Sequence, residues 1–180
     1  MFDRKTRAYS EWLVVRCQQG DKHAFQSLVA HWEKRLLVYA IRRLEDSEAA
    51  KDATQECLLA ISKGVRSLND PGAFPKWMFR ILERRCSDLL RRKIREREVI
   101  AENQEIPETG SEDNTANEID VAKLLLGFDP AIRLVLQLHY LEGFTVTEIA
   151  EIIEVPTGTV KSRLFYARKA LNNKATQNKS

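Results

Sequence analysis

Glycine and proline are scarce in this chain of 180 residues, with seven and five copies. Hairpin turns draw on both, so a sheet protein built from many short strands is not expected. Cysteine occurs three times, at Cys17, Cys57 and Cys86, an odd number at wide spacing with no C-x-x-C pair. That supports neither a disulfide framework nor a zinc site and leaves three small apolar side chains for the core. The three histidines, His23, His31 and His139, do not cluster with carboxylates or cysteines at ligand spacing, so no metal centre is expected. There is no phosphate-binding loop and no nucleophile–base arrangement, so neither an enzyme nor a cofactor is expected. The opening stretch MFDRKTRAYSEW lacks the apolar core of a secretion signal, and no long apolar run follows. Membrane insertion is therefore not expected, and the chain reads as a soluble, cytoplasmic protein.

Aliphatic and charged residues are plentiful: 43% of the chain is hydrophobic and 31% charged. That balance suits a helix-rich protein with core enough for one medium domain or two small ones. The net charge of +3 is modest, but its distribution is uneven. From Lys76 to Arg97 nine bases stand against three acids, a net +6. From Glu96 to Asp120 nine acids stand against the single base Arg97, a net −8. A basic binding face followed by an acidic connector is the simplest reading.

From Tyr9 to Arg43 two helices are expected, broken around QQGDKHAF. Gly20 closes the first and Asp21 caps the second, with Ala24, Phe25, Leu28 and Val29 facing inward. A third helix runs through LEDSEAAKDATQECLLAISKGV. Ala49, Ala53, Cys57 and Ile61 line one side of it, and Asp52, Gln55, Glu56 and Lys63 remain for another. SLNDPGAFP reads as a loop. KWMFRILERRCSDLLRRKIRER is a strong helix with Met78, Leu82 and Leu89 as its apolar stripe, beside Ile81 and Cys86. Lys76, Arg80, Arg84, Asp88 and Arg92 form a polar row in which Asp88 pairs with Arg84 and Arg92, leaving the other cations unpaired. EVIAENQEIPETGSEDNTANEID has no periodicity and reads as a linker. From Val121 a second helical unit begins, broken around residues 127–130 and again at Gly143. TVTEIAEIIEV opens with a capping box, Thr145 and Glu148, and closes at Val155 and Pro156. The expected fold is all-α, two small helical domains at residues 9–95 and 121–172 joined by a flexible acidic linker at 96–120. A polar tail follows at 173–180.

The stretch VPTGTVKSRLFYARKAL poses a question of its own. Val160, Leu164, Ala167 and Leu171 make a buried stripe, while Lys161, Ser162, Phe165, Arg168 and Lys169 share the opposite side. An aromatic ring among exposed cations suits neither a plain solvated face nor a core. A short helix, a tight turn and such a second helix make a helix-turn-helix signature, whose second helix enters the DNA major groove. Thr157 or Thr159 caps its electropositive start. Lys161, Ser162, Phe165 and Arg168 then face base edges and phosphates, the ring against thymine methyl groups. The alternative is a surface helix of an ordinary bundle with one exposed Phe.

TVTEIAEIIEVPTGTVKSRLFYARKAL closely resembles region four of bacterial sigma factors of the extracytoplasmic-function group, in the sigma-70 family. GTVKSR ahead of the L..AR.AL pattern is its specific part. QQGDKHAFQSLV, DATQECLLAI and AFPKWMFRILERRCSDLLRR resemble the same family's region two, in order and spacing. The resemblance covers Leu13 to Leu171 apart from the linker. It implies a promoter-specificity subunit that docks on core RNA polymerase, through the β′ clamp helices and the β flap, and serves a stress or envelope-response regulon. In region two, Asp52, Gln55 and Glu56 meet the family's polymerase-docking pattern; as bare residues they would read as a solvated face, though acids suit a basic partner and repel DNA. The next helix resembles the segment that opens the −10 element, where Lys76, Arg80, Arg84, Arg91 and Arg92 suit phosphate contacts and the loop from Leu68 to Phe74 captures a flipped base. In region four, Thr157, Thr159, Lys161, Ser162, Phe165 and Arg168 fall to −35 recognition. Trp77 resembles the family's tryptophan, and a core position accounts for it as well.

Two positions depart from the family. Arg84 stands where an asparagine is usual, seven residues after Trp77, and Tyr166 where an arginine is frequent. The second implies either one fewer phosphate contact or a shifted −35 preference. The linker of the family threads the polymerase cleft and RNA exit path; a plain disordered tether would have the same composition. An anti-sigma factor is a further implied partner. The competing function is a stand-alone helix-turn-helix regulator, which would give no reason for an acidic docking face.

Overall fold

The computed structural model describes residues 4–101 and 127–177, and every regular element within them is helical. They belong to two compact units, divided within the acidic segment.

In the first unit α1 (Arg4–Gln18), α2 (Lys22–Leu44), α3 (Ser47–Gly64) and α4 (Phe74–Ala101) pack as a bundle. Short polar side chains set the starts. The Asp21 carboxylate accepts from the N–H groups of His23 at 2.9 Å and Ala24 at 3.1 Å, and Asp46 accepts from Ala49 at 3.1 Å. Each takes up an N–H that the first helical turn cannot satisfy itself. Gly20 closes α1 with φ at +91°, where a side chain would be strained. Gly20 N–H returns to Cys17 O at 3.0 Å and Asp21 N–H to Arg16 O at 3.1 Å, a Schellman closure. Two residues, Glu45 and Asp46, suffice between α2 and α3.

The core is aromatic and tight. Trp32, Tyr39, Phe74 and Phe79 are buried, with ring centres 6.4 Å apart for Trp32–Phe74, 6.3 Å for Trp32–Phe79 and 5.1 Å for Tyr39–Phe79. Trp32 Nε1–H donates to Ser10 Oγ at 3.1 Å, which holds α1 against α2. Trp77 is half-buried, and its ring fills the space a side chain at Gly64 would need, within 2.9 Å of that Cβ position. All three cysteines are buried and unpaired, as expected of small apolar residues.

Glu83 is the exception in the core: a carboxylate only 3% exposed. Tyr39 Oη donates to it at 2.7 Å, Ser87 Oγ at 2.9 Å, and the Arg43 guanidinium lies 3.0 Å away. Three donors compensate a charge that would otherwise be very costly to bury. Burial and the neighbouring Glu83 charge push the Tyr39 phenol well above its ordinary value.

The structure departs from several expectations. α1 begins at Arg4 rather than Tyr9, and α4 runs six residues into the expected linker. Nothing in REREVIA breaks a helix, since arginine and glutamate are good helix formers. Residues 102–126 and 178–180, including the rest of the linker, lie outside the described residues. On α3 the buried set is Ala50, Ala53, Thr54, Cys57 and Ile61, with Ala49 only half-buried. A turn of 3.6 residues makes the stripe alternate threes and fours instead of repeating fours. Phe25 and Val29 are half-buried beside the fully buried Ala24 and Leu28.

In the second unit α5 (Pro130–Leu136) runs into a π turn at Gln137–Leu141, followed by α6 (Val146–Ile152) and α7 (Thr157–Gln177). Leu138, Phe144, Ile149, Val160, Leu164 and Ala167 form its core. The expected capping box is present: Glu148 N–H donates to Thr145 Oγ1 at 3.3 Å, and Thr145 N–H donates to the Glu148 carboxylate at 2.9 Å.

Glu83→Ala is expected to lower stability by about 3 kcal/mol, because it leaves the part-buried Arg43 without its counter-charge and the buried Tyr39 hydroxyl without its acceptor; urea unfolding of the full chain measures this. Burial also pushes the Cys57 thiol from an ordinary 9.0 up to about 12. A group raised on folding binds its proton more tightly in the native state, so stability is intact below the ordinary value and falls as pH rises above it. The urea midpoint is therefore expected to decline from about pH 9 upward.

Candidate functional site

The turn between α6 and α7 is built by backbone geometry. Glu154 takes φ of +56°, and Val155 N–H returns to Ala150 O at 3.0 Å, closing α6. Pro156 then opens α7: its carbonyl accepts from Thr159 N–H at 2.9 Å and Val160 N–H at 3.4 Å. Accepting those bonds is the N-cap's part. Thr157 and Thr159 lie inside the first turn, which corrects their expected capping role.

α7 buries Val160, Leu164 and Ala167 and exposes Lys161, Ser162, Phe165, Tyr166, Arg168 and Lys169. Phe165 is 61% exposed, and Tyr166 meets it edge-on with centres 5.7 Å apart. Tyr166, singled out only as a departure, thus belongs to the same exposed surface. Two of the expected base-contacting side chains fold back on their own helix here. Ser162 Oγ donates to Thr159 O at 2.9 Å and Arg168 Nε to Leu164 O at 3.3 Å. Such local bonds are what these groups make when no outside acceptor is offered.

On α3, Asp52, Gln55 and Glu56 are exposed on the outer side. Leu59, four residues beyond Gln55, is 60% exposed within the same face and was missed; its signal was an aliphatic residue on the row of acids. Glu56 also has a partner that sequence reasoning did not assign: Arg85 Nε of α4 lies 3.4 Å from its Oε2.

The cations of α4 do not all share one face. A step of four residues advances about 40° around a helix, so the row from Lys76 to Arg92 turns through about 160°. Arg80, Arg84 and Arg91 fall together and are exposed, Lys76 is half-buried at one margin, and Arg92 points well away. Asp88 pairs with Arg91 at 3.2 Å rather than with Arg84 or Arg92. Arg85 and Lys93 are not the unpaired cations expected, since Lys93 Nζ lies 3.6 Å from Asp46 and Arg85 reaches Glu56. Between α3 and α4 the loop is ordered by Asp70, which accepts from Gly72 N–H at 3.0 Å, and by Gln18 Nε2, which donates to Leu68 O at 2.8 Å.

Among the described residues no group of three or more His, Cys, Asp or Glu is placed to hold a metal, and no helix is long and apolar enough to cross a membrane. The sites are surfaces of charge and rings rather than an enclosed pocket. Comparison with known families gives them a context. The model of sigma-70 region 2 matches residues 28–96, and that of sigma-70 region 4 matches residues 123–171. The ECF RNA polymerase sigma-E factor of Haemophilus influenzae is 30% identical over 176 residues, covering 90% of this chain and 93% of that protein. This chain is an extracytoplasmic-function sigma factor of the sigma-70 family.

Other relatives of this sigma factor agree. The RNA polymerase sigma-H factor of Pseudomonas aeruginosa is 29% identical, covering 93% of this chain and 94% of that protein. Among solved structures, the sigma factor RpoE of Bartonella quintana, in complex with the anti-sigma factor NepR, has a TM-score of 0.67 at 22% identity. It covers 83% of this chain and 94% of that one. CnrH, in complex with the cytosolic domain of CnrY, has a TM-score of 0.64 at 23% identity, covering 94% of this chain and 98% of that one. These two likenesses carry the fold. As an alternative sigma factor the chain belongs to a family of proteins that are not enzymes, and the two family matches fall on the two compact units.

Adjacent positions on α7 separate contact from core. Phe165→Ala is expected to leave stability within about 0.5 kcal/mol of wild type, whereas Leu164→Ala costs about 2–5 kcal/mol. Thermal melts of the two variants followed by circular dichroism check the contrast.

Proposed function

We propose a division of labour among the three exposed faces of this sigma factor. The acids Asp52 and Glu56, with Gln55 between them on α3, dock the subunit on core RNA polymerase at the β′ clamp helices, where an acidic surface suits a basic partner. The cations of α4 hold the phosphates of the −10 element while the loop from Leu68 to Phe74 takes up an extruded base. Arg80, Arg84 and Arg91 are the nearest set on one face, with Lys76 at its margin and Arg92 on another side of the helix. The α7 face, with Lys161, Ser162, Phe165 and Arg168, reads the −35 element from the major groove. Thr157 and Thr159 in its first turn lie where a phosphate meets the positive end of the helix, and the unit that carries them reaches the β flap.

The separation of sign supports this reading most directly. Exposed acids gather on α3, exposed cations on α4, and exposed cations with rings on α7. No hydrolysable nucleotide is required, since binding energy and captured bases supply the cost of strand opening. Residues 96–120, with net charge −8, suit a basic channel that later holds RNA. An anti-sigma factor that covers these faces is the proposed regulator, by likeness to the Bartonella quintana complex. A cytoplasmic location and the region bounds at residues 9–95 and 121–172 belong to the same proposal.

Capture of core RNA polymerase by the purified chain tests docking, with Glu56→Lys alongside. The variant is expected to lose capture yet remain folded, because an exposed pair such as Glu56–Arg85 contributes only about 0–1 kcal/mol. Normal capture by Glu56→Lys would remove the assignment of that face. Arg168→Ala is expected to weaken promoter binding roughly tenfold without changing polymerase capture, as read by gel shift of the assembled holoenzyme. Equal loss of both activities would contradict the division.

A further inference from the structure

α1 carries a set of exposed rings that none of the three faces uses. Lys5, Tyr9, Trp12 and Arg16 follow at offsets of four, three and four and so share one side of the helix. Tyr9 and Trp12 stack, with centres 6.0 Å apart and planes within 21°. His31 of α2 meets Tyr9 edge-on at 5.3 Å. The Arg16 guanidinium lies 5.3 Å from the Trp12 ring centre, and Asp21 fixes it there through an ion pair at 2.6 Å. Even so, the indole is 52% exposed. On its own side of the helix stand the cations Lys5 and Arg16, while the one acid of α1, Glu11, stands on another.

Contiguous rings left in water on one helix face mark a contact surface more often than chance. The charge chooses among occupants. A second copy would bring one basic face against another, which repels. An anionic partner is favoured, and two parallel rings favour one that presents flat π faces. Single-stranded nucleic acid offers both, whereas a duplex keeps its bases stacked inside.

We propose that the Tyr9–Trp12 face of α1 is a stacking platform for a single strand of opened promoter DNA. The platform rests on the reading of this chain as a promoter-opening subunit. It extends the contact with separated strands beyond α4 and places bases against rings where α4 supplies mainly cations.

The test uses the full chain with a short fluorescein-labelled oligothymidylate, and with a duplex of the same length for comparison. Wild type is expected to bind the single strand, read as a rise in fluorescein anisotropy. Trp12→Ala is expected to weaken single-strand binding roughly tenfold, Trp12→Phe to retain most of it, and duplex binding to stay unchanged in both. Because the side chain is exposed, both variants are expected to melt with wild type. Unchanged single-strand affinity in Trp12→Ala would overturn the platform, and so would equal binding of a polyglutamate of matching charge. Capture of core RNA polymerase is measured on the same samples. If wild type is captured and Trp12→Ala is not, the face is a protein-docking surface and the proposal fails. If wild type itself is not captured, the promoter-opening reading fails instead.

Discussion

The buried Glu83 carboxylate fixes how α4 sits in the bundle. Tyr39 and Arg43 of α2 converge on it, and their bonds are made only at one rotation of α4 about its axis; Ser87, on α4 itself, donates to the same carboxylate. With Glu83 turned inward beside Met78, Phe79 and Leu82, the side carrying Arg80, Arg84 and Arg91 must turn outward. A purely apolar stripe would tolerate a small rotation or a slip; a charge with two geometric partners on another helix does not. The stability of the bundle and the aim of its cations therefore rest on one interaction.

Much of this was legible in the sequence, and the reason is locality. Asp21, Thr145 and Glu148 act on N–H groups two or three residues away, so short-range pattern suffices to assign them. The buried stripe of α7 and the exposed acids of α3 follow from helical period alone. What was not legible depends on partners far along the chain. Glu83 reads as a surface residue until Arg43 and Tyr39, forty and forty-four residues earlier, are placed beside it. The pairs Arg85–Glu56 and Lys93–Asp46 join α4 to α3 and its start for the same reason. A row counted in fours misleads more subtly. It is nearly straight over two turns and visibly helical over five, which is why Arg92 leaves the face that Arg80 begins.

Both units set their helix boundaries with capping side chains and left-handed residues together. The first uses Asp21 and Asp46 with Gly20 and Glu45; the second uses Asp129 and the Thr145–Glu148 box with Glu154, and adds a π turn at Gln137–Leu141. The second unit is small, and its largely aliphatic core around Phe144 also encloses Gln137 and Glu142. α7 gains little from burial on its outer side, where Phe165 and Tyr166 are exposed.

α4 is long enough to leave the bundle that formed it. Met78, Leu82 and Cys86 are buried, yet residues 91–98 are exposed on every side of the helix. Amide protons in the first stretch can exchange with solvent only when the whole bundle opens, while those beyond Lys93 exchange by fraying that the core does not oppose. One continuous helix thus holds both extremes of local stability, and the gradient between them falls just where the acidic segment begins.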